Sequence, residues 1–167
     1  REEGVSRIAT FEQGDIFETD FSDATVVTMY LLPDLNIKLR PTLLAMKPGT
    51  RIVSNSFEMG DWEADEMVHI KEGCPGYCMA YKWVVPARVE GRWTLGDAEL
   101  ELKQRFQMLE GVLRRGDSAQ PISEGRLDGT RISFSVAGER YTGEVRGARM
   151  RGEVDGSRPW RAKRQGD

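Results

Sequence analysis

Residues 11–62 constrain the fold more than any other part of the chain, because strand and helix signals alternate there. A nearly continuous apolar run at 24–32, rich in β-branched residues, ends in a turn that begins at Pro33. Apolar residues follow at helical spacing over 35–46, a Lys-Pro-Gly turn stops them, and a second β-branched run occupies 51–56. This order predicts an α/β fold in which both strands lie in a doubly wound parallel sheet and the first is buried on both faces.

The segment before this unit predicts one more strand and an acidic turn. Residues 5–11 alternate between apolar and polar, and Asp15 follows them. No Gly-rich cofactor loop precedes Asp15, and the sequence begins at Arg1 rather than at a methionine. We therefore expect a fragment in which the first strands of the sheet are missing.

After Trp62 the pattern changes to short strands. Residues 67–70 and 77–85 predict a hairpin at the edge of the sheet. Beyond Pro86, short alternating runs are separated by recurrent glycines, which is typical of an antiparallel meander closed into a small barrel or sandwich. The chain is therefore divided into an α/β domain at 1–85 and an antiparallel β domain at 86–167.

Charge is distributed unevenly along the chain. Residues 1–72 contain 7 basic and 14 acidic side chains, which favours basic partners such as a lysine-bearing protein segment. Residues 140–164 contain 8 basic and 3 acidic side chains, which is compatible with nucleic acid or an anionic membrane. Aromatic residues are not interleaved with these arginines, so we predict solvated strand faces and no nucleic-acid partner. No apolar run reaches the roughly 20 residues that span a bilayer, and we expect a cytoplasmic protein.

The cysteines and the histidine give no metal site. Cys74 and Cys78 stand in the segment CPGYC, and His69 is the only histidine, whereas a zinc site needs about four ligands. A disulfide across the Pro-Gly turn and two free thiols both remain open. His69 lies in an apolar run without a catalytic partner at useful spacing, and we expect it to be structural.

The segment GDIFETDFSDATVVTMYLLPDLNIKLRPTLLAMKPGTRIVSNSFEMGDW resembles the bacterial class I S-adenosylmethionine-dependent methyltransferases, and within them the relatives of seven-strand protein-lysine methyltransferases. The QGD turn, the TMYLLP strand end and the KLRP…KPGTRIVS unit carry the resemblance, which is strongest over residues 8–62. It implies S-adenosylmethionine as cofactor and an amine, such as a protein lysine or a small amine, as methyl acceptor. Because the Gly-rich loop is not present, we expect this chain alone to bind the cofactor very weakly and to be inactive. The alternative is a non-enzymatic β-barrel interaction module attached to a methyltransferase remnant.

The resemblance also implies residues that hold the cofactor. It places adenine at Gly14, Asp15 and Ile16, where the carboxylate accepts a hydrogen bond from the exocyclic amine and the next N–H donates to the ring. A turn closed by Asp15 on its own backbone is the structural alternative. Tyr30 and Leu31 end the following strand and are predicted to line the methyl-transfer channel.

The remaining candidates concern the methyl acceptor. Pro33, Phe57 and Trp62 are predicted to bind substrate, since aromatic faces attract a lysine cation. Asp61 is predicted to accept the proton of that lysine, and Tyr30 to orient the amine, so these two residues are the catalytic candidates.

Overall fold

The computed structural model describes residues 8–166, which form thirteen strands and one helix. The first sheet contains β1 (Val26–Met29), β2 (Arg51–Asn55), β3 (Glu66–His69) and β4 (Met79–Val84), and helix α1 (Pro33–Leu44) connects β1 to β2. The second sheet contains β5 (Gly91–Leu95), β6 (Ala98–Arg105), β7 (Met108–Arg115), β8 (Ser118–Pro121), β9 (Ser123–Asp128), β10 (Arg131–Val136), β11 (Glu139–Arg146), β12 (Arg149–Val154) and β13 (Arg158–Arg164). Over residues 8–166, no helix combines the length and apolar character needed to cross a membrane.

The first sheet has the strand order β1-β2-β4-β3. β1 and β2 are parallel, whereas β4 is antiparallel to both β2 and β3. The predicted hairpin therefore forms, with β3 at the edge of the sheet. β1 is shorter than the predicted strand at 24–32, and it is not buried on both faces because Val26 is exposed.

Helix α1 begins at Pro33, where proline is favoured because the first helical N–H has no intrahelical partner. Pro41 lies inside the helix, which nevertheless continues to Leu44. Leu39 and Leu43 are buried and pack in the core of the first sheet. The helix predicted over 35–46 is thus confirmed, with a start two residues earlier.

The second sheet closes on itself through the pairing of β6 with β7, which gives an antiparallel barrel of eight strands. β8 extends from β9 and pairs with the far end of β7. Apolar side chains alternate along the strands and fill the interior, with Trp93, Phe134 and Trp160 among the buried residues. Of the two predicted alternatives, a barrel or a sandwich, the structure shows the barrel.

The prediction of an α/β fold is wrong for this chain. The described residues contain one helix of 12 residues and thirteen strands. Among these strands, β1 and β2 form the only parallel pair. The strand–helix–strand signal was correct locally, but it occurs once, and the hairpin and barrel supply the other strands. Of the strand predicted at 5–11, residues 5–7 lie outside the described residues and 8–11 form no strand.

The barrel contacts the first sheet through the turn between β6 and β7. Gln107 in this turn is 2% exposed, and its Oε1 accepts a hydrogen bond from Trp62 Nε1 at 2.9 Å. Its Nε2 donates to the carbonyl oxygen of Glu63 at 2.8 Å. The Phe106 ring stacks on Trp62 with ring centroids 5.8 Å apart. The two sheets therefore share a buried polar and aromatic contact, and the domain division at Pro86 stays a prediction.

Candidate functional site

Three aromatic side chains meet beyond the ends of β1 and β2. The ring centroids of Tyr30 and Phe57 are 5.8 Å apart, those of Tyr30 and Tyr77 are 6.2 Å apart, and those of Phe57 and Tyr77 are 5.9 Å apart. Tyr30 is 58% exposed and Tyr77 is 64% exposed, so the group opens to solvent. We call these three residues the aromatic cluster.

The parallel pairing of β1 and β2 brings two members of the cluster together. Parallel strands end at the same edge of a sheet, so Tyr30, directly after β1, lies near Phe57, two residues after β2. Ser56 has a φ of 67°, and the Phe57 N–H donates to the carbonyl oxygen of Asn55 at 2.9 Å. This is the geometry of a γ-turn with positive φ, which is rare and strained. Strained backbone persists where surrounding contacts hold it and is concentrated at functional sites.

Tyr77 enters the cluster from the loop between β3 and β4. Cys74 and Cys78 are joined by a disulfide in the structure, with Cα atoms 5.8 Å apart, and Tyr77 lies inside the closed loop. Tyr77 also has a positive φ, of 58°. The sequence analysis missed this residue, although its place in a Pro-Gly turn between two cysteines indicated a shaped loop.

Asn36 on helix α1 holds the segment that follows β2 through hydrogen bonds. It is the second residue of the site that was not predicted from the sequence. Its side chain is fully buried, and Nδ2 donates to the carbonyl oxygens of Phe57 at 3.3 Å and Glu58 at 3.2 Å. Its Oδ1 is buried with no hydrogen-bond partner among the described residues. Asn36 therefore fixes the backbone that carries Phe57. An amide inside an apolar helix pattern was the available signal.

The predicted adenine residues form a separate turn. The Oδ1 of Asp15 accepts a hydrogen bond from the Phe17 N–H at 2.9 Å, and its carbonyl oxygen accepts one from Thr19 Oγ1 at 2.7 Å. Gly14 and Ile16 flank it, and all three are exposed. The turn that Asp15 closes on its own backbone is thus present. Of the two carboxylate oxygens of Asp15, only Oδ1 takes part in this turn, so Oδ2 accepts none of the turn's hydrogen bonds.

Asp61 faces the barrel rather than the aromatic cluster. Its Oδ1 lies 2.5 Å from Arg40 Nη1, and its Oδ2 lies 3.1 Å from Arg105 Nη2. The hydrogen bonds from Arg105 and then Arg40 lower the pKa of this carboxyl group. A carboxylate with a lowered pKa is a weaker proton acceptor, so these contacts argue against Asp61 as the base that deprotonates a lysine.

Two predicted acceptor residues, Trp62 and Pro33, and the predicted channel residue Leu31 lie in three different environments. Trp62 is 1% exposed and packs between the first sheet and the barrel, so its position argues against direct contact with a substrate. Pro33 is exposed at the start of α1. Leu31 is half-buried and packs on the core of the first sheet. The structure therefore brings Tyr30 and Phe57 together and places Trp62 elsewhere.

Comparison with known proteins identifies the segment that carries this site. Residues 1–66 match the ANTKMT methyltransferase domain. The match covers less than half of the chain, and it shows that this N-terminal segment is similar to methyltransferase domains. A protein-lysine N-methyltransferase from Saccharolobus islandicus (strain REY15A) is 45% identical over 71 residues, which are 42% of this chain and 44% of that protein.

A solved structure is also similar to part of this chain. It is an RNA methyltransferase from Salinibacter ruber in complex with S-adenosyl-L-homocysteine, 45% identical, with a TM-score of 0.48 over 53% of this chain and 55% of that one. The chain thus spans about half the length of the relatives that it matches.

Proposed function

We propose that this chain supplies the acceptor side of an S-adenosylmethionine-dependent methyltransferase that acts on lysine amines of proteins. The observation that carries the proposal is the aromatic cluster at the shared edge of β1 and β2. Two of its members, Tyr30 and Phe57, lie in the segment 1–66 that matches a methyltransferase domain. In sheets with parallel strands, ligands bind beyond the carboxyl ends of those strands.

The cluster suits an amine that carries or has just lost a positive charge. A cation is attracted to an aromatic face within about 6 Å of the ring centroid. The Tyr30 and Phe57 rings are inclined by 22°, whereas Tyr77 stands nearly edge-on to Tyr30 at 71°. Three rings around one opening hold the aliphatic stem and the head of a lysine together. The Tyr30 hydroxyl accepts a hydrogen bond from the neutral amine and orients its lone pair.

The turn at Gly14, Asp15 and Ile16 fits the adenine of the cofactor, which when bound supplies a methyl group on a sulfonium. The Asp15 carboxylate has one oxygen outside its own turn, where it accepts a hydrogen bond from an exocyclic amine. Ile16 is 39% exposed and offers an apolar surface to the purine. Leu31 follows Tyr30 and lines the path from this turn to the acceptor amine.

A protein substrate fits better than a small amine for two reasons. The cluster is open to solvent, so a side chain that projects from another protein's surface can reach it. Residues 1–72 carry an excess of acidic groups, 14 against 7 basic, which attracts lysine-rich surfaces. The relative from Saccharolobus islandicus is itself described as a protein-lysine methyltransferase.

Methyl transfer by the complete gene product tests the proposal. The protein is incubated with tritiated S-adenosylmethionine and a lysine-rich protein, and a second reaction uses the same protein after chemical acetylation of its lysines. We expect incorporation only in the first reaction, with methylated lysines identified by peptide mass spectrometry. Equal incorporation into both substrates would contradict the lysine assignment.

Variants of the cluster test the role of its rings. Phe57→Ala is expected to reduce kcat/KM for the lysine-rich protein about two- to fivefold, since a cation–π contact at a solvent-exposed site contributes roughly 0.5–1 kcal/mol. Tyr30→Phe keeps the ring and removes the hydroxyl, so we expect a loss in kcat with a smaller change in KM. Unchanged kinetics in both variants would place the acceptor elsewhere.

A further inference from the structure

Five basic side chains cover one outer face of the barrel. They belong to three adjacent strands, β11, β12 and β13, and all are exposed. These residues, which we call the basic face, are Arg146, Arg149, Arg151, Arg161 and Lys163. The β11–β12 and β12–β13 registers place Arg146 opposite Arg149, Arg149 opposite Lys163, and Arg151 opposite Arg161. The chain thus stacks like charges directly across strand pairs.

Such an arrangement lowers the stability of the folded barrel unless something else requires it. Like charges directly opposite each other on neighbouring strands are destabilising. Arg146 has a partner, since its Nη2 lies 2.9 Å from an oxygen of Glu144. Within residues 8–166, the structure records no ion pair for the other four members of the basic face. One acidic residue, Glu144, pairs with Arg146 and lies opposite Arg151 in the β11–β12 register. The five basic residues therefore exceed this acidic neighbour by four positive charges, which indicates an anionic partner.

The shape of the face restricts the kind of partner. A groove of about 960 Å³ runs along it and is lined by all five basic residues together with Thr94, Glu144 and Ala148. A bilayer presents a flat surface and does not enter a groove, whereas a flexible phosphodiester chain does. The face also has no exposed aromatic or large aliphatic side chain to insert between lipids. Four of the five cations are arginines, whose planar guanidinium groups match phosphate oxygens in bidentate contacts.

The sequence alone favoured solvated strand faces here and no nucleic-acid partner, but the groove and the paired registers of the basic residues change that interpretation. We propose that the basic face binds the phosphate backbone of single-stranded nucleic acid. Residues along one strand face recur at about 6.6–6.8 Å and neighbouring strands are about 4.8 Å apart, so the face presents a compact grid of cations to successive phosphates. No aromatic side chain on the face stacks with bases. Binding is therefore independent of base sequence and strongly dependent on salt. This function is separate from methyl transfer at the aromatic cluster.

Fluorescence anisotropy of the full chain with a labelled 20-nucleotide oligouridylate tests the proposal. About four phosphate contacts give a logarithmic salt slope near −2.8, so the Kd rises about 50-fold between 50 and 200 mM salt. The double variant Arg151→Glu/Arg161→Glu is expected to weaken binding at least tenfold at 50 mM salt. The control Arg51→Glu/Lys71→Glu makes the same change in net charge at the first sheet, where both residues are exposed, and we expect less than a threefold effect.

A single variant separates this role from a purely structural one. Arg161→Glu converts the like-charge pair with Arg151 into an opposite-charge pair, so the thermal midpoint should rise while oligouridylate binding falls. A folded variant that binds as tightly as the parent chain overturns the proposal. Competition by polyglutamate at equal charge concentration, as strong as competition by oligouridylate, would show that an acidic protein is the partner instead. Binding to phosphatidylserine vesicles without binding to oligouridylate would assign the face to a membrane.

Discussion

The hydrogen bonds of Gln107 join the barrel to the first sheet, and Gln107→Leu tests their importance. Leucine has a similar size and keeps the position apolar and filled, but it offers no hydrogen bond. The buried indole N–H of Trp62 then loses its partner, and so does the carbonyl oxygen of Glu63, a residue that solvent reaches. The substitution therefore isolates the polar part of the contact from its packing.

The expected loss of stability follows from the buried indole N–H. A buried donor left unsatisfied costs about 1–3 kcal/mol, so the loss of the indole N–H partner should lower the free energy of unfolding by about that amount. For a chain of 150–250 residues, 1 kcal/mol changes Tm by about 2–4 °C. We therefore expect Tm to fall by about 2–12 °C.

Urea unfolding followed by tryptophan fluorescence, together with thermal unfolding followed by circular dichroism, measures this change. Gln120→Leu is the matched control, since Gln120 is exposed on β8 and the same substitution there removes no buried contact. A loss of less than about 0.5 kcal/mol in the Gln107 variant, equal to that of the control, would refute the reasoning. The double variant Trp62→Phe/Gln107→Leu should lose less than the sum of the single variants, because the orphaned indole N–H is then absent.

Two further predictions concern the contacts between the sheets. Gly129→Ala should lower the free energy of unfolding by more than Gly116→Ala in urea titrations. Both glycines have positive φ, near 59° and 55°, but an added Cβ meets the backbone of the Lys-Pro-Gly turn at 3.1 Å only at Gly129; equal losses would contradict this packing. Hydrogen bonds from Arg105 and then Arg40 lower the pKa of Asp61 in the folded chain. The resulting stabilisation is present above the unfolded pKa of about 3.9, and it is lost as pH falls through the pKa of Asp61 in the folded chain. Asp61→Asn should therefore lose less stability than the parent chain between pH 5 and pH 3, and identical pH profiles would refute this.

The part of the fold that the sequence predicted is the part determined by local signals. The β1–α1–β2 unit follows from one apolar run, one helical period and one Lys-Pro-Gly turn. The alternation of Ile132, Phe134 and Val136 with serines likewise indicated a barrel strand, and all three are buried. These signals lie within a few residues of one another, so no tertiary contact was needed to interpret them.

Local signals did not predict the fold class, because the fold class depends on how many strand–helix–strand units the chain contains. One strand–helix–strand unit was extended to a whole α/β domain, whereas the chain continues into antiparallel strands. The glycines also have a role that spacing alone did not show. Gly143 and Gly152 lie inside paired strands rather than at turns, and a Cβ on Gly143 would lie 2.6 Å from the Trp160 ring. Gly143 therefore makes room for that ring, whereas Gly152 allows the close approach of the Thr142 backbone.

Side-chain environment was the other feature that the sequence could not supply. Trp62 was predicted to overhang the substrate edge, but its indole finds a buried acceptor on Gln107, 45 positions away in the chain. Tyr77 was missed for the converse reason, since its meeting with Tyr30 depends on the β2–β4 pairing. Both residues are aromatic and follow strands, and only long-range contacts decide which one is exposed.

The segment between β2 and β3 connects the barrel to the aromatic cluster, and this connection gives a final prediction. Asn36 holds this segment at Phe57 and Glu58, and the barrel holds it at Trp62 through Gln107. Phe57 therefore lies in a segment that is fixed by the barrel as well as by the helix. If that support matters for the acceptor site, Gln107→Leu should lower kcat/KM for a lysine-rich protein at a temperature where the variant remains folded. The double variant Arg151→Glu/Arg161→Glu changes only the basic face of the barrel. It should leave kcat/KM for the lysine-rich protein unchanged at high salt. Equal methylation by all three proteins would show that the barrel does not position the cluster.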